Sequence, residues 1–162
     1  IETHAFTAMN GAAQPYKIFQ RGLADYLITE EGLAVYNQEK TESSETIKKY
    51  WPASSVIGIY TAMHGSFADT YAEVMKHGFG AERAWRVALK AKRGLTDTGK
   101  SGAFTKDFVY FSGHKIIQDF VKQGGDLKNL YYGKINLKDL DIIKKVKGLK
   151  SPKYLPAYLL QD

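Results

Sequence analysis

The chain has 162 residues, 44% of them hydrophobic and 25% charged, with a net charge of +6; this composition suits one globular domain or most of one. No apolar run approaches the ~20 residues that a membrane-spanning helix needs, because the most apolar stretch, Val56 to Met63, is short and broken by Gly58. The lack of cysteine fits a reducing compartment and sets the expectation of a cytoplasmic protein without a membrane partner.

Apolar periodicity is helical nearly everywhere, so the expected class is mainly α. Residues 1–10 read as the end of a helix, closed near Asn10-Gly11, since glycine readily takes the backbone form that stops a helix. Gly11 to Gly22 reads as a loop punctuated by Pro15. Leu23 to Gln38 carries a helix face of Leu23, Tyr26, Leu27, Leu33, Ala34 and Tyr36. Lys40 to Lys48 is polar and loop-like. Pro52 suits the first turn of a helix running to about His77, which Gly78 and Gly80 end. A further helix spans about 81–92, with Trp85, Val87, Ala88 and Ala91 apolar.

Residues 93–102 form a long loop with glycines at 94, 99 and 102, and long loops in compact domains are often functional. Thr105 reads as the N-cap of a helix through Lys122, stopped by Gly124-Gly125. Asn129 to Lys134 is the one candidate for a short strand. Asn136 reads as the cap of a last amphipathic helix with Leu137, Leu140, Ile143 and Val146 at three-residue steps. The tail from Ser151-Pro152 is aromatic and apolar enough to dock. The organisation expected is a single domain over 1–162, or the C-terminal fragment of a larger catalytic domain.

The positive charge is uneven. Lys134, Lys138, Lys144, Lys145, Lys147, Lys150 and Lys153 crowd the C-terminal part. They read as a solvated helix face, or as a docking surface for an acidic partner. No nucleic-acid motif accompanies them.

His4 and Glu31 are of the types that hold zinc. A zinc peptidase needs three protein ligands and an open fourth position for water. The metal lowers the pKa of that water toward ~7, and a nearby glutamate takes its proton. Gly32 beside Glu31 lets a backbone approach closely. A histidine and a glutamate pair also serve as surface or capping groups, and the residues by themselves leave both readings open.

Several uncommon words recur in order: Glu2-Thr3-His4, the Gln14-Pro15 loop, and Thr29-Glu30-Glu31-Gly32-Leu33-Ala34. They are followed by Ala91-Lys92-Arg93-Gly94-Leu95-Thr96-Asp97-Thr98, by Gly102-Ala103-Phe104-Thr105-Lys106-Asp107, and by Tyr110. Over roughly residues 1–120 the chain resembles the family of microtubule-associated tyrosine carboxypeptidases and bacterial "flavohemoglobin expression-modulating QEGLA motif" proteins. The resemblance implies a zincin-like metallopeptidase fold, of which this chain is the C-terminal portion, and one Zn2+ ion. It places the second histidine of a His-Glu-x-x-x-His motif on His4 and the third ligand on Glu31. The first histidine and the general-base glutamate then fall just before Ile1, so this chain alone is expected to be inactive and to pair with the missing N-terminal part. Histidines five apart differ by ~140° around an ideal helix, so that spacing implies a π-bulge or a ligand at a helix end.

The implied substrate is a protein or peptide with a free C-terminus; the microtubule branch of the family removes the terminal tyrosine of α-tubulin. Arg93 and Lys106 are rival candidates for its carboxylate, Arg93 through a bidentate fork. Arg93 also suits a helix C-terminus as a plain cation. Tyr110, one turn beyond Lys106, is a candidate donor to the oxyanion or a packed core tyrosine. Glu30 and Asp97 are candidate groups behind the ligands, or a surface carboxylate and a loop organiser respectively. Gln14 and Pro15 read as a wall of the cleft. His77 reads as an exposed pair with Glu73, His64 as a buried hydrogen-bonded histidine, and His114 as core or cleft. The alternative to an enzyme is a non-catalytic helical binding or regulatory module, with the basic tail and glycine-rich loop as its docking surface.

Overall fold

The computed structural model describes residues 2–41 and 51–160. It is mainly helical, with no strand among the described residues. The chain groups into two compact units, Ile1–Glu42 with Ser112–Asp162, and Ser43–Phe111.

The first unit contains α1 (Glu2–Ala12), α2 (Ile18–Arg21) and α3 (Tyr26–Thr41). It also holds most of α7 (Phe108–Lys122), a 3-10 segment (Leu127–Tyr131), a second (Leu137–Asp139), and α8 (Leu140–Ile143). The short helix α2 lies inside the stretch expected to be loop, and α3 starts at Tyr26 rather than Leu23. The reason is local: Gly22 (φ +118) and Asp25 (φ +54) both hold non-helical backbone, so the chain cannot wind before Tyr26. The expected loop at Lys40 to Lys48 lies mostly outside the described residues. The core is built on Phe19, Leu33, Tyr36, Ile117, Leu130 and Tyr131.

Two glycines set the crossing of α3 and α7. A Cβ on Gly32 would sit 2.3 Å from the Gly113 carbonyl carbon, and one on Gly113 would sit 2.2 Å from the Ile28 oxygen. Gly32 therefore serves the approach of α7, rather than the approach of backbone to the Glu31 site that its position suggested. Gly124 (φ +83) stops α7, its N–H bonding the Val121 carbonyl while Gly125 bonds that of Phe120. The segment expected as a strand forms 3-10 turns instead, because Asp126 Oδ1 accepts from the Lys128 N–H at 2.9 Å and starts a turn. Asn136 caps as expected, accepting from the Lys138 N–H at 3.0 Å, but the helix beyond it is only a 3-10 turn and four residues of α8.

The tail docks. Asn10 Oδ1 accepts from the Lys153 and Tyr154 N–H groups, and Asn10 Nδ2 donates to the Tyr154 carbonyl. Gln14 bridges the Lys150 main chain in the same two-way fashion. At the centre, Asn37 Nδ2 donates to Thr3 Oγ1 and Tyr131 Oη, and Asn37 Oδ1 accepts from Tyr158 Oη, each at 2.7 Å. One side chain of α3 thus holds α1, the 3-10 segment and the tail.

The second unit contains α4 (Trp51–His64), α5 (Phe67–Lys76) and α6 (Ala81–Lys92). The single helix expected from Pro52 to His77 is two helices. The break at Gly65-Ser66 is a capping box: Ser66 Oγ accepts from the Asp69 N–H, and Asp69 Oδ2 accepts from the Ser66 N–H. The helix expected at 81–92 forms as read, and 93–102 is a loop. Thr105 caps no helix with its side chain; a turn at residues 106–107 intervenes, and α7 begins at Phe108. Lys106 therefore lies off the helix, and the face it was expected to share with Tyr110 does not exist.

Candidate functional site

In the first unit, α1 presents His4 and α3 presents Glu30 and Glu31. His4 Nε2 lies 3.4 Å from Glu31 Oε2 and 3.9 Å from Glu30 Oε2. Both glutamates are buried, whereas the histidine side chain is 38% exposed. His4 Nδ1 is buried and has no hydrogen-bond partner among the described residues. An imidazole thus points one nitrogen at two carboxylates while its other nitrogen is buried.

Glu30 is held from two sides. Thr7, one turn along α1 from His4, donates its hydroxyl to Glu30 Oε1 at 2.5 Å and also approaches the His4 carbonyl at 3.2 Å. Lys134 Nζ stands 3.8 Å from the same Glu30 oxygen and 5.3 Å from the centre of the Tyr26 ring. The charge of a buried carboxylate is tolerable only with such company. Lys134 is half-buried, unlike Lys138, Lys144, Lys145, Lys147, Lys150 and Lys153, which are exposed.

The donor set suits zinc in type and spacing. Ligand bonds of ~2.0–2.2 Å at tetrahedral angles separate neighbouring ligand atoms by about 3.4 Å, the spacing between His4 Nε2 and Glu31 Oε2. Among the described residues, no group of three or more His, Cys, Asp or Glu side chains is arranged to hold a metal ion. The described residues thus bring together two donors of the type zinc takes, His4 and Glu31.

The other sequence candidates lie in the second unit. The Arg93 guanidinium donates to Asp107 Oδ1 at 3.1 Å and stacks 3.9 Å over the Phe104 ring. Lys106 is exposed and Tyr110 half-buried. Asp97 Oδ1 accepts from the Gly99 N–H at 2.9 Å, so its side chain organises the loop. His77 is exposed and pairs with Glu73 as expected, Nδ1 lying 2.9 Å from the Glu73 carbonyl. His64 is exposed rather than buried, edge-on to Tyr60 at 5.2 Å, because the helix presents that face to solvent. In the first unit, His114 makes a 2.9 Å contact with Glu39 Oε2.

Sequence reading missed Thr7, Lys134 and Asn37. Thr7 had a usable signal, since it lies three residues from His4 on the same helix face. Lys134 reads as one more lysine of the basic tail; only the fold turns it inward.

Among the described residues, no helix is long and apolar enough to cross a membrane. The family model described as microtubule-associated tyrosine carboxypeptidase matches residues 1–162. "Putative tyrosine carboxypeptidase MATCAP2" of Mus musculus is 29% identical over 164 residues, covering 96% of this chain. "Microtubule-associated tyrosine carboxypeptidase 1" of Homo sapiens is 30% identical over 155 residues, covering 89% of the chain. The chain spans about a third of these relatives, 31% of each. With a match along its whole length, the chain belongs to the microtubule-associated tyrosine carboxypeptidase family.

Proposed function

We propose that this chain contributes two ligands, His4 and Glu31, to the single zinc of a zincin-like carboxypeptidase that cleaves near a protein C-terminus. The observation that supports the reading most is the 3.4 Å approach of His4 Nε2 to Glu31 Oε2, two residues 27 positions apart in sequence. A bound zinc supplies the Lewis acidity that activates water and polarises the scissile carbonyl. The chain's own residues do the rest of the positioning. Thr7 and Lys134 hold Glu30, which stands beside Glu31 on the Nε2 side of His4.

The relatives' names, tyrosine carboxypeptidase and microtubule-associated, support a terminal tyrosine as the residue removed, and on this reading the protein acts in the cytoplasm. On this reading Arg93 takes the substrate carboxylate, with Lys106 its rival, and Tyr110 donates to the oxyanion. The Arg93–Asp107 pair restricts where the guanidinium, planar by its own delocalisation, can lie. On this reading the chain supplies two of the three protein ligands that a zinc peptidase needs.

The test is metal analysis of the intact enzyme that carries this chain. Its zinc content should fall by at least about tenfold in His4→Ala and in Glu31→Gln, as expected when one of three ligands is lost, with activity falling in parallel. An intact protein that holds no zinc, and whose His4→Ala variant keeps full activity, refutes the reading and leaves a non-catalytic helical module.

A further inference from the structure

Lys92, the last residue of α6, is only 2% exposed. Its ammonium meets four main-chain carbonyls: Ala62 at 2.9 Å, Gly65 at 2.5 Å, Lys100 at 2.6 Å and Gly102 at 2.9 Å. Two of these belong to the end of α4 and the turn into α5, and two to the glycine-rich loop. Burial acts to lower the lysine below its ordinary value, and the charges of Asp69 and Asp97 act through space against that. A buried lysine in a protein of this size is usually paired with a carboxylate. Here the oxygens are peptide carbonyls, four of them within 2.9 Å of the ammonium nitrogen.

We propose that Lys92 is a positioning residue: its ammonium latches the glycine-rich loop 94–102 onto the α4–α5 junction and thereby fixes Arg93, the next residue in the chain. For the role of Arg93, the inference rests on the reading above that Arg93 holds the substrate carboxylate.

Three main-chain bonds run beside the latch. The Phe67 N–H reaches the Thr98 carbonyl at 2.8 Å, the Gly102 N–H reaches Ala62 at 2.9 Å, and the Phe104 N–H reaches Ala91 at 2.7 Å. They bring the loop to the helices but leave the Lys100 and Gly65 carbonyls to Lys92. An ammonium has three N–H donors shared over four acceptors, each bond charge-assisted. Losing it orphans carbonyl groups at a site with little water, and that is expensive. A glycine-rich loop has the most conformational freedom to lose on ordering, so it needs such a tie. Arg93 leaves α6 in an extended conformation (φ −60, ψ 139) and stacks on Phe104, which the loop delivers. Moving the loop moves the ring beneath the guanidinium.

The wild-type protein gives the first test. Side-chain 15N spectroscopy should resolve one lysine ammonium whose protons exchange with water at least about tenfold more slowly than those of the exposed lysines, and Lys92→Met should delete that signal. The second test uses Lys92→Met, similar in length and without charge, in the intact enzyme. Amides of 94–102 should exchange at least about tenfold faster while those of α1 and α3 are unchanged. KM for a peptide with a free C-terminus should rise about tenfold, with kcat within about twofold, as expected when a binding group loses its alignment. Arg93→Ala, measured in parallel, should raise KM and leave loop exchange as in wild type. Unchanged loop exchange in Lys92→Met, or no slow ammonium in wild type, overturns the latch. If Arg93→Ala leaves KM unmoved, the carboxylate assignment is what fails, and the exchange result alone supports or overturns the latch. Should Lys92→Met not fold, the wild-type ammonium measurement still decides.

Discussion

In the first unit several of the polar side chains that join segments reach far along the chain. Asn10 bonds Tyr154, 144 positions away, and Tyr158 bonds Asn37 across 121. In the second unit the corresponding ties are short. The longest reach of Lys92 is 30 positions, to Ala62, and the capping box spans three. Distant ties cost loop-closure entropy before they return anything, so the first unit depends on several of them forming together. The second unit is assembled from neighbouring helices with local stops. Removing one tie should therefore cost more in the first unit than in the second.

The largest contrast is expected at glycine. Gly32→Ala drives a methyl into the Gly113 main chain, which has no side-chain end to swing away. Overpacking of this kind costs about 3 kcal/mol or more. Gly78→Ala in the second unit meets nothing within 4 Å and carries only the left-handed backbone cost (φ +85), about 1–2 kcal/mol. Urea denaturation of the two variants compares them directly. Equal losses would sink the claim that the α3–α7 crossing depends on a hydrogen-only surface.

How much of this was legible in the sequence follows the same division. Gly124, the Asn136 cap and the helix at 81–92 are written in adjacent residues, and reading them locally was enough. The break at Ser66 was also local, with Ser66 and Asp69 at capping-box spacing, but Pro52 as the start and Gly78 as the stop read as the bounds of one helix, and the break between them was passed over. His4 and Glu31 came from a family resemblance, since a lone histidine and a glutamate pair are common in helices. Asn37 gave no signal at all. Its partners Thr3, Tyr131 and Tyr158 lie in three distant segments, and a polar residue in a helix otherwise reads as solvent-facing. Lys92 hid as well, since a lysine in the last turn of a helix is commonplace in a sequence. Only the convergence of carbonyls reveals it.

The next effect in size tests the Asn37 hub and also has a pH signature. Asn37→Leu removes three hydrogen bonds and leaves buried hydroxyls unpaired, for about 2–3 kcal/mol. Burial pushes the Tyr131 hydroxyl up to about 12 from the ordinary value near 10, and pushes Tyr158 up as well. A tyrosine whose folded value is raised favours the folded state while it stays protonated. Its contribution is fully present below pH ~10 and is lost as pH climbs through ~12. Two pH units correspond to about 3 kcal/mol. Alkaline unfolding followed by tyrosinate absorbance should show this loss, and Tyr131→Phe should flatten it. A profile no flatter in Tyr131→Phe than in wild type would refute the assignment.

The smallest expected effect is in the second unit, at Ser66. Ser66→Ala removes the oxygen that accepts from the Asp69 N–H and the hydroxyl that donates to Asp69 Oδ2 at 2.7 Å. Loss of a cap of this kind lowers the melting temperature of a chain this long by about 3 °C. The main-chain and side-chain bonds from Ser66 hold the Asp69 carboxyl below its ordinary value. A carboxyl with a depressed folded value stabilises above its ordinary pKa, near 4, and that contribution is lost as pH falls below it. The difference between Ser66→Ala and wild type should therefore be present at pH 7 and shrink in acid. Because the box is tied to α5 alone, amide exchange in the first unit should not change. A Ser66→Ala variant that loosened α1 or α3 would show that the two units do not hold their structure by separate means, and the contrast drawn from their tie lengths would fall with it.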